Sequence, residues 1–316
     1  MPVFPLPLTR PSISGLTAWL LSLVLSCLHL FAHAKQAPIE TDWQAATLAS
    51  SWQFDLKAHS NGRVYRIWLY LPTQLVRDRT YPVLWALDGN ASFPLLRNAH
   101  LQQLSKSMPD YQDGVIVAIG DPSQSIFAER SRSYDYTPYP ECRNCPASDL
   151  EYGGADKFLS FIKDQLRPLI AAKIPLNLKQ QTLFGFSYGG LFSSYVLLTE
   201  PDLFQRYWIS SPSLWFNQHQ LIQQAVTLQP PQNTRTVNLR IALNTGYEEE
   251  YAPAGSDPAR LEKLKQRKMV SNTQALADIL RQQKQLDLHL SFPLARDHGD
   301  MFDYACRRVS TFAFSQ

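Results

Sequence analysis

The chain has 316 residues, 45% hydrophobic and 18% charged, the balance of a folded globular protein and not of a disordered one. The 30 Lys and Arg against 27 Asp and Glu give a net charge of +3. So small a charge, with no long run of one sign, argues against nucleic acid or an anionic membrane as the main partner.

Residues 1–34 read as a secretory signal. Arg10 is the only charge before Lys35, an apolar stretch runs over 16–31, and Ala32-His33-Ala34 fits the small-x-small cleavage pattern. The stretch is short for a membrane span and no Lys/Arg-rich flank follows, so cleavage is expected and no stable membrane insertion after it. Cys27 raises a lipoprotein alternative, but the apolar Leu28, Leu30 and Phe31 after it suit a continuing hydrophobic region better. The mature chain, residues 35–316, then carries 29 basic and 27 acidic residues and is expected in the periplasm or outside the cell. Export also changes how the remaining cysteines read. Cys142 and Cys145 suit a small loop-closing disulfide better than a redox pair or a zinc half-site, which would need further ligands nearby. Cys306, in an apolar helical pattern, is expected as a buried free thiol.

Strands are expected at 52–58 and 63–71, joined by a turn at 59–62. Near-continuous apolar runs at 81–87 and 114–119 suit strands buried on both faces of a parallel sheet. A long polar and aromatic loop should span 121–154. An amphipathic helix over 155–173 would place Phe158, Phe161, Ile162, Leu166 and Ile170 on one face. The run at 182–184 reads as a strand, followed by a helix that stops before Pro201. Strands at 207–210, 239–243 and 286–292 continue the series, with helices near 218–226, 260–283 and 299–314. This alternation predicts one α/β domain with a mainly parallel sheet, and no linker or repeat divides it.

Between the 182–184 strand and the next helix stands Gly185-Phe186-Ser187-Tyr188-Gly189, the G-x-S-x-G pattern in strand-turn-helix context. Such a turn holds a serine oxygen clear of its own backbone at a strand end. Its flanking positions are expected to admit only glycine, because a side chain at either would strike the adjoining strand or helix. Ser187 is therefore the candidate nucleophile. The backbone N–H of Tyr188, at the helix N-terminus, would face negative charge forming on a substrate. Asn90, after the turn residues Asp88-Gly89, is the candidate for a second such donor.

A serine nucleophile needs a base. His298, in Asp297-His298-Gly299 just after the last strand, is the candidate, whereas His289 falls inside that strand. A carboxylate following the 239–243 strand would orient the imidazole, and Glu248, Glu249 and Glu250 all lie there. Glu249 is preferred and Glu248 second; a Ser–His dyad without an acid stays open. Arg132 and Tyr134, in the 121–154 loop, are candidate substrate contacts. That loop also holds Arg130, Tyr136, Tyr139, Arg143 and Tyr152, residues suited either to gripping an anionic aromatic ring or to folding the loop on itself. The basic cluster Arg260, Lys263, Lys265, Arg267 and Lys268 reads as a solvated helix face.

The segments 183–192, Pro201-Asp202-Leu203-Phe204 and Ser210-Ser211-Pro212-Ser213-Leu214-Trp215-Phe216 resemble the esterase D-like family of α/β-hydrolases. Leu87-Asp88-Gly89-Asn90, residues 132–138 and Asp297-His298-Gly299 agree. The resemblance runs from about Trp52 to the C-terminus and is greatest to the periplasmic branch that hydrolyses trilactone siderophores such as enterobactin. It implies an α/β-hydrolase fold with helices on both faces of the sheet, and Ser187 and His298 as nucleophile and base. It also implies Tyr188 and Asn90 as oxyanion donors, a small-molecule ester substrate, and no metal or organic cofactor. Relatives also include feruloyl and acetyl esterases, so an acyl-carbohydrate or general carboxylesterase is the alternative, and a non-catalytic binding protein on the same fold a further one. The Cys142–Cys145 insertion departs from the family pattern.

Overall fold

The apolar runs of the sequence become the inner strands of one sheet. The computed structural model describes residues 47–76, 78–123, 125–140, 149–227, 239–283 and 286–316. The segment 1–34, Cys27 and the Cys142–Cys145 pair lie outside the described residues. The strands are β1 (Ser51–Lys57), β2 (Val64–Tyr70), β3 (Tyr81–Ala86), β4 (Val115–Gly120), β5 (Leu176–Phe186), β6 (Arg206–Ser210), β7 (Leu239–Asn244) and β8 (Leu286–Ser291). They lie in the order β1-β2-β4-β3-β5-β6-β7-β8. β1 and β2 form an antiparallel hairpin and β2 runs antiparallel to β4, while all pairings from β4 to β8 are parallel.

Strand side chains alternate between faces, and each face meets its own helices. One face presents Val83, Trp85, Val117, Leu183, Tyr207, Ile209 and Ile241. Packed on it are helix α3 (Ala155–Ser160), a π-helical stretch (Phe161–Leu166), α4 (Arg167–Ala171), α5 (Tyr188–Thr199), α6 (Phe216–Thr227) and α8 (Met269–Arg281). The other face presents Leu84, Ala86, Ile116, Ala118, Phe184, Trp208 and Ala242 to α1 (Gly89–Ser105) and α9 (His298–Phe314). Phe93 and Leu96 of α1 meet Met301, Val309 and Phe314 of α9 there, and Cys306 is buried among them as a free thiol.

Several elements differ from expectation. α1 is absent from the sequence reading because Gly89, Asn90 and the internal Pro94 all read as breakers. The 121–154 loop holds a short helix, α2 (Glu129–Asp135). The 155–173 helix is interrupted by the π-helical stretch, where Pro168 has no N–H for the carbonyl of Asp164. The 260–283 segment is two helices, α7 (Pro258–Arg267) and α8, broken at Lys268 with a left-handed φ of 47°. β5 begins earlier than the 182–184 run, at Leu176, its first half masked by Lys179, Gln180 and Gln181.

Candidate active site

β5 ends at Phe186 and α5 begins at Tyr188, so a single residue, Ser187, makes the turn with φ 60° and ψ −117°. Its backbone is held on both sides. Its N–H donates to the carbonyl of Ser210 at 3.0 Å, and its own carbonyl accepts from Ser213 and Leu191 at 3.1 and 2.9 Å. A Cβ on Gly185 would lie 2.0 Å from the Gly189 carbonyl oxygen and 2.4 Å from Ser193 Oγ. A Cβ on Gly189 would meet Leu87 and Asp88 at 3.4 and 3.5 Å, ordinary contact distances. The expectation that both flanking positions forbid a side chain is thus corrected. The obligatory close approaches are at Gly185 and at Gly190, whose Cβ would sit 2.8 Å from the carbonyl oxygen of Ser210.

Ser187 Oγ lies 3.1 Å from His298 Nε2, and His298 Nδ1 lies 2.5 Å from Glu249 Oε2. Each partner is set by local structure. Asp297 caps α9, its carboxylate accepting from the N–H groups of Gly299 and Asp300, which fixes His298 as the first residue of the helix. The imidazole packs on Phe186, with ring centroids 4.8 Å apart. Glu249 closes a 3₁₀ turn (Tyr247–Glu249) directly after β7. Its other oxygen, Oε1, accepts from the Gly246 N–H at 2.8 Å and the Ser211 hydroxyl at 2.5 Å. With its side chain only 1% exposed, the carboxylate needs every one of these donors. The two loops are also tied by backbone: Tyr247 N–H donates to Pro293 and Glu248 N–H to Arg296, at 3.0 and 3.1 Å. Glu248 makes no side-chain hydrogen bond to His298, and Glu250 instead accepts from the Ser271 N–H and hydroxyl.

Tyr188 is the first residue of α5 and Asn90 the second of α1, positions where a backbone N–H has no intrahelical acceptor. The Asn90 side chain is occupied elsewhere, its Nδ2 donating to the carbonyls of Asp121, Ser123 and Ser125. Arg132 and Tyr134 are used within the fold. Arg132 donates through Nε and Nη2 to both oxygens of buried Asp88, at 3.0 and 3.1 Å, and reaches the Phe186 carbonyl at 3.4 Å. Burial works against its charge, but Asp88 outweighs this and raises its pKa above the ordinary arginine value. Tyr134 lies under the Arg63 guanidinium, 4.4 Å from it, and its hydroxyl accepts from Lys157. A buried guanidinium requires a countercharge, and Arg132 finds it in the Asp88 carboxylate while also reaching the carbonyl of Phe186, the residue before Ser187. Sequence reasoning missed Ser211 as a partner of Glu249, and Ser213, whose Oγ lies 3.5 Å from Ser187 Oγ. The only available signal was the segment Ser210-Ser211-Pro212-Ser213, read there for resemblance alone.

A serine at the strand-to-helix elbow of a mainly parallel sheet, with acid and histidine following in chain order, defines an α/β-hydrolase. The chain belongs to the Putative esterase family, whose model matches residues 58–287. It is similar to the siderophore triacetylfusarinine C esterase of Aspergillus fumigatus, 35% identical over 184 residues that cover 56% of this chain and 61% of that protein. The chain therefore spans less than two thirds of that relative's length. It is 31% identical to the ferri-bacillibactin esterase of Bacillus subtilis over 218 residues, 65% of this chain and 73% of that one. Among solved structures, siderophore hydrolase EstB from Aspergillus nidulans matches with a TM-score of 0.76 at 28% identity, covering 87% of this chain and 98% of that one.

Proposed function

We propose that this chain is an exported serine esterase that hydrolyses siderophore esters of the trilactone kind through an acyl-enzyme intermediate. One observation carries the reading: a hydroxyl, an imidazole and a buried carboxylate in continuous hydrogen-bond reach at a strained elbow. The siderophore substrate is supported by the relatives, which are esterases of triacetylfusarinine C and of ferri-bacillibactin.

In this reading His298 Nε2 takes the Ser187 proton as Oγ attacks the ester carbonyl. Glu249 accepts from His298 Nδ1–H, which leaves Nε2 free as the base and stabilises the imidazolium that forms. The N–H groups of Tyr188 and Asn90 stabilise the oxyanion. His298 then returns the proton to the departing alkoxide, and a water activated by the same imidazole releases the acyl group. No step calls for a metal or organic cofactor. Residues 1–34 serve as the cleaved export signal and 35–316 form the single hydrolase domain, acting in the periplasm or outside the cell.

Hydrolysis of 4-nitrophenyl acetate should fall by about 10⁴-fold or more in Ser187→Ala. Equal rates in the two proteins would overturn the serine mechanism. Iron-free and ferric trilactone incubated with the purified protein should yield linear products by mass spectrometry; intact lactone in both would overturn the siderophore assignment alone.

A further inference from the structure

α7 ends beside the site, and its last residue, Arg267, departs from the solvated face expected for the basic cluster. Arg260 of the same helix pairs with Asp297 at 3.5 Å. Arg267 is half-buried and lies over the Trp215 ring, 4.5 Å from its centroid. Among the described residues it meets no carboxylate in an ion pair and donates no side-chain hydrogen bond. Trp215 in turn packs on Tyr188, the residue after Ser187, with centroids 6.1 Å apart. The indole N–H of Trp215 is also buried without an acceptor among the described residues. Burial pulls the Arg267 pKa below the ordinary arginine value, opposed by the fields of Tyr188 and Glu249. Glu249 cannot answer that charge, being spent on His298, Ser211 and Gly246.

A guanidinium that loses hydration and gains no anion is held at a cost that a ligand can offset. The planar fork suits carboxylate, phenolate or chelate oxygens, and the aromatic surface beneath it suits a ring. We propose that Arg267, laid across Trp215, determines specificity by binding an anionic group of the ester, favouring charged over neutral substrates. The proposal rests on the esterase reading for its site, and its test separates the two.

Two matched pairs place the charge in either half of the ester: 4-acetoxybenzoate against 4-acetoxybenzamide, and mono-4-nitrophenyl succinate against 4-nitrophenyl butyrate. The wild type should favour the anionic member of at least one pair. Arg267→Gln should lower the charged-to-neutral ratio of kcat/KM by about 10- to 100-fold, carried by KM, and Arg267→Lys should restore part of it. No preference in either pair, or an equal loss on both members, would overturn the proposal. Binding gives a readout independent of turnover. In Ser187→Ala protein, 4-hydroxybenzoate should saturably quench tryptophan fluorescence and 4-hydroxybenzamide should not, with the effect lost when Arg267→Gln is added. If no ester is cleaved but this charge-selective binding holds, the esterase reading fails and the anion site stands. Equal response to acid and amide overturns the anion site.

Discussion

Glu248, Glu249 and Glu250 are chemically identical neighbours, and the chain gives each a different fate. In a 3₁₀ turn successive side chains point about 120° apart. Once Gly246 and the 293–296 loop set the turn's phase, only one of the three faces His298. Glu249→Gln should keep the shape but lose the charge and the preference for the Nδ1–H tautomer, lowering kcat by about 10³- to 10⁴-fold. Glu248→Gln should change kcat by less than about twofold, which steady-state kinetics on one ester would check. The candidate carboxylates were legible in the sequence as a group, since they follow a strand in the right chain order. Which one reaches the histidine was not, because it depends on a loop some fifty residues away in sequence, with a separation of 49 between Glu249 and His298.

The elbow shows the same division among elements. Strand, serine and helix follow from local sequence, but which glycines are indispensable depends on what passes close by. Gly185→Ala would drive a methyl into the Gly189 carbonyl and the Ser193 hydroxyl, and should cost more than about 3 kcal/mol or prevent folding. Gly189→Ala meets only ordinary contacts and should shift stability by no more than about 1 kcal/mol in either direction. Thermal melts of the two variants side by side would check the contrast. α1 escaped the sequence reading because Gly89, Asn90 and Pro94 all read as breakers, while its glycine start is what allows the close approach of Gly89 to the backbone of residues 118–120. α7 and α8 read as one helix because Lys268 carries no sign of the left-handed conformation it adopts.

At the scale of the whole molecule, side chains distant in sequence share buried charge. Asp135 on α2 has a side chain 3% exposed and accepts a 2.8 Å hydrogen bond from the Tyr65 hydroxyl of β2. Burial raises its pKa from 3.8 to about 7, Arg63 and Tyr65 opposing and Asp121 adding to the shift. These groups border a groove of about 380 Å³ that Arg130 and Ser131 also line. The native state keeps the Asp135 proton where the unfolded chain has released it. Its contribution to stability is therefore full below pH 3.8 and falls as pH rises to about 7. Asp135→Asn has no charge to bury and retains an acceptor for Tyr65. Its stability relative to wild type should rise between pH 4 and 8 by a few kcal/mol, at about 1.4 kcal/mol per pKa unit. A difference between the two denaturation curves that stays flat across that range would refute it. The α/β class, the central strands, the serine elbow and the candidate histidine were legible in the chain, because hydrophobic periodicity and turn chemistry are local properties. Folding alone selects the glutamate that bonds that histidine, ties Arg132 to Asp88, and leaves Arg267 without an anion among the described residues. Those outcomes depend on which charges share a buried space, and chain separation does not reveal that.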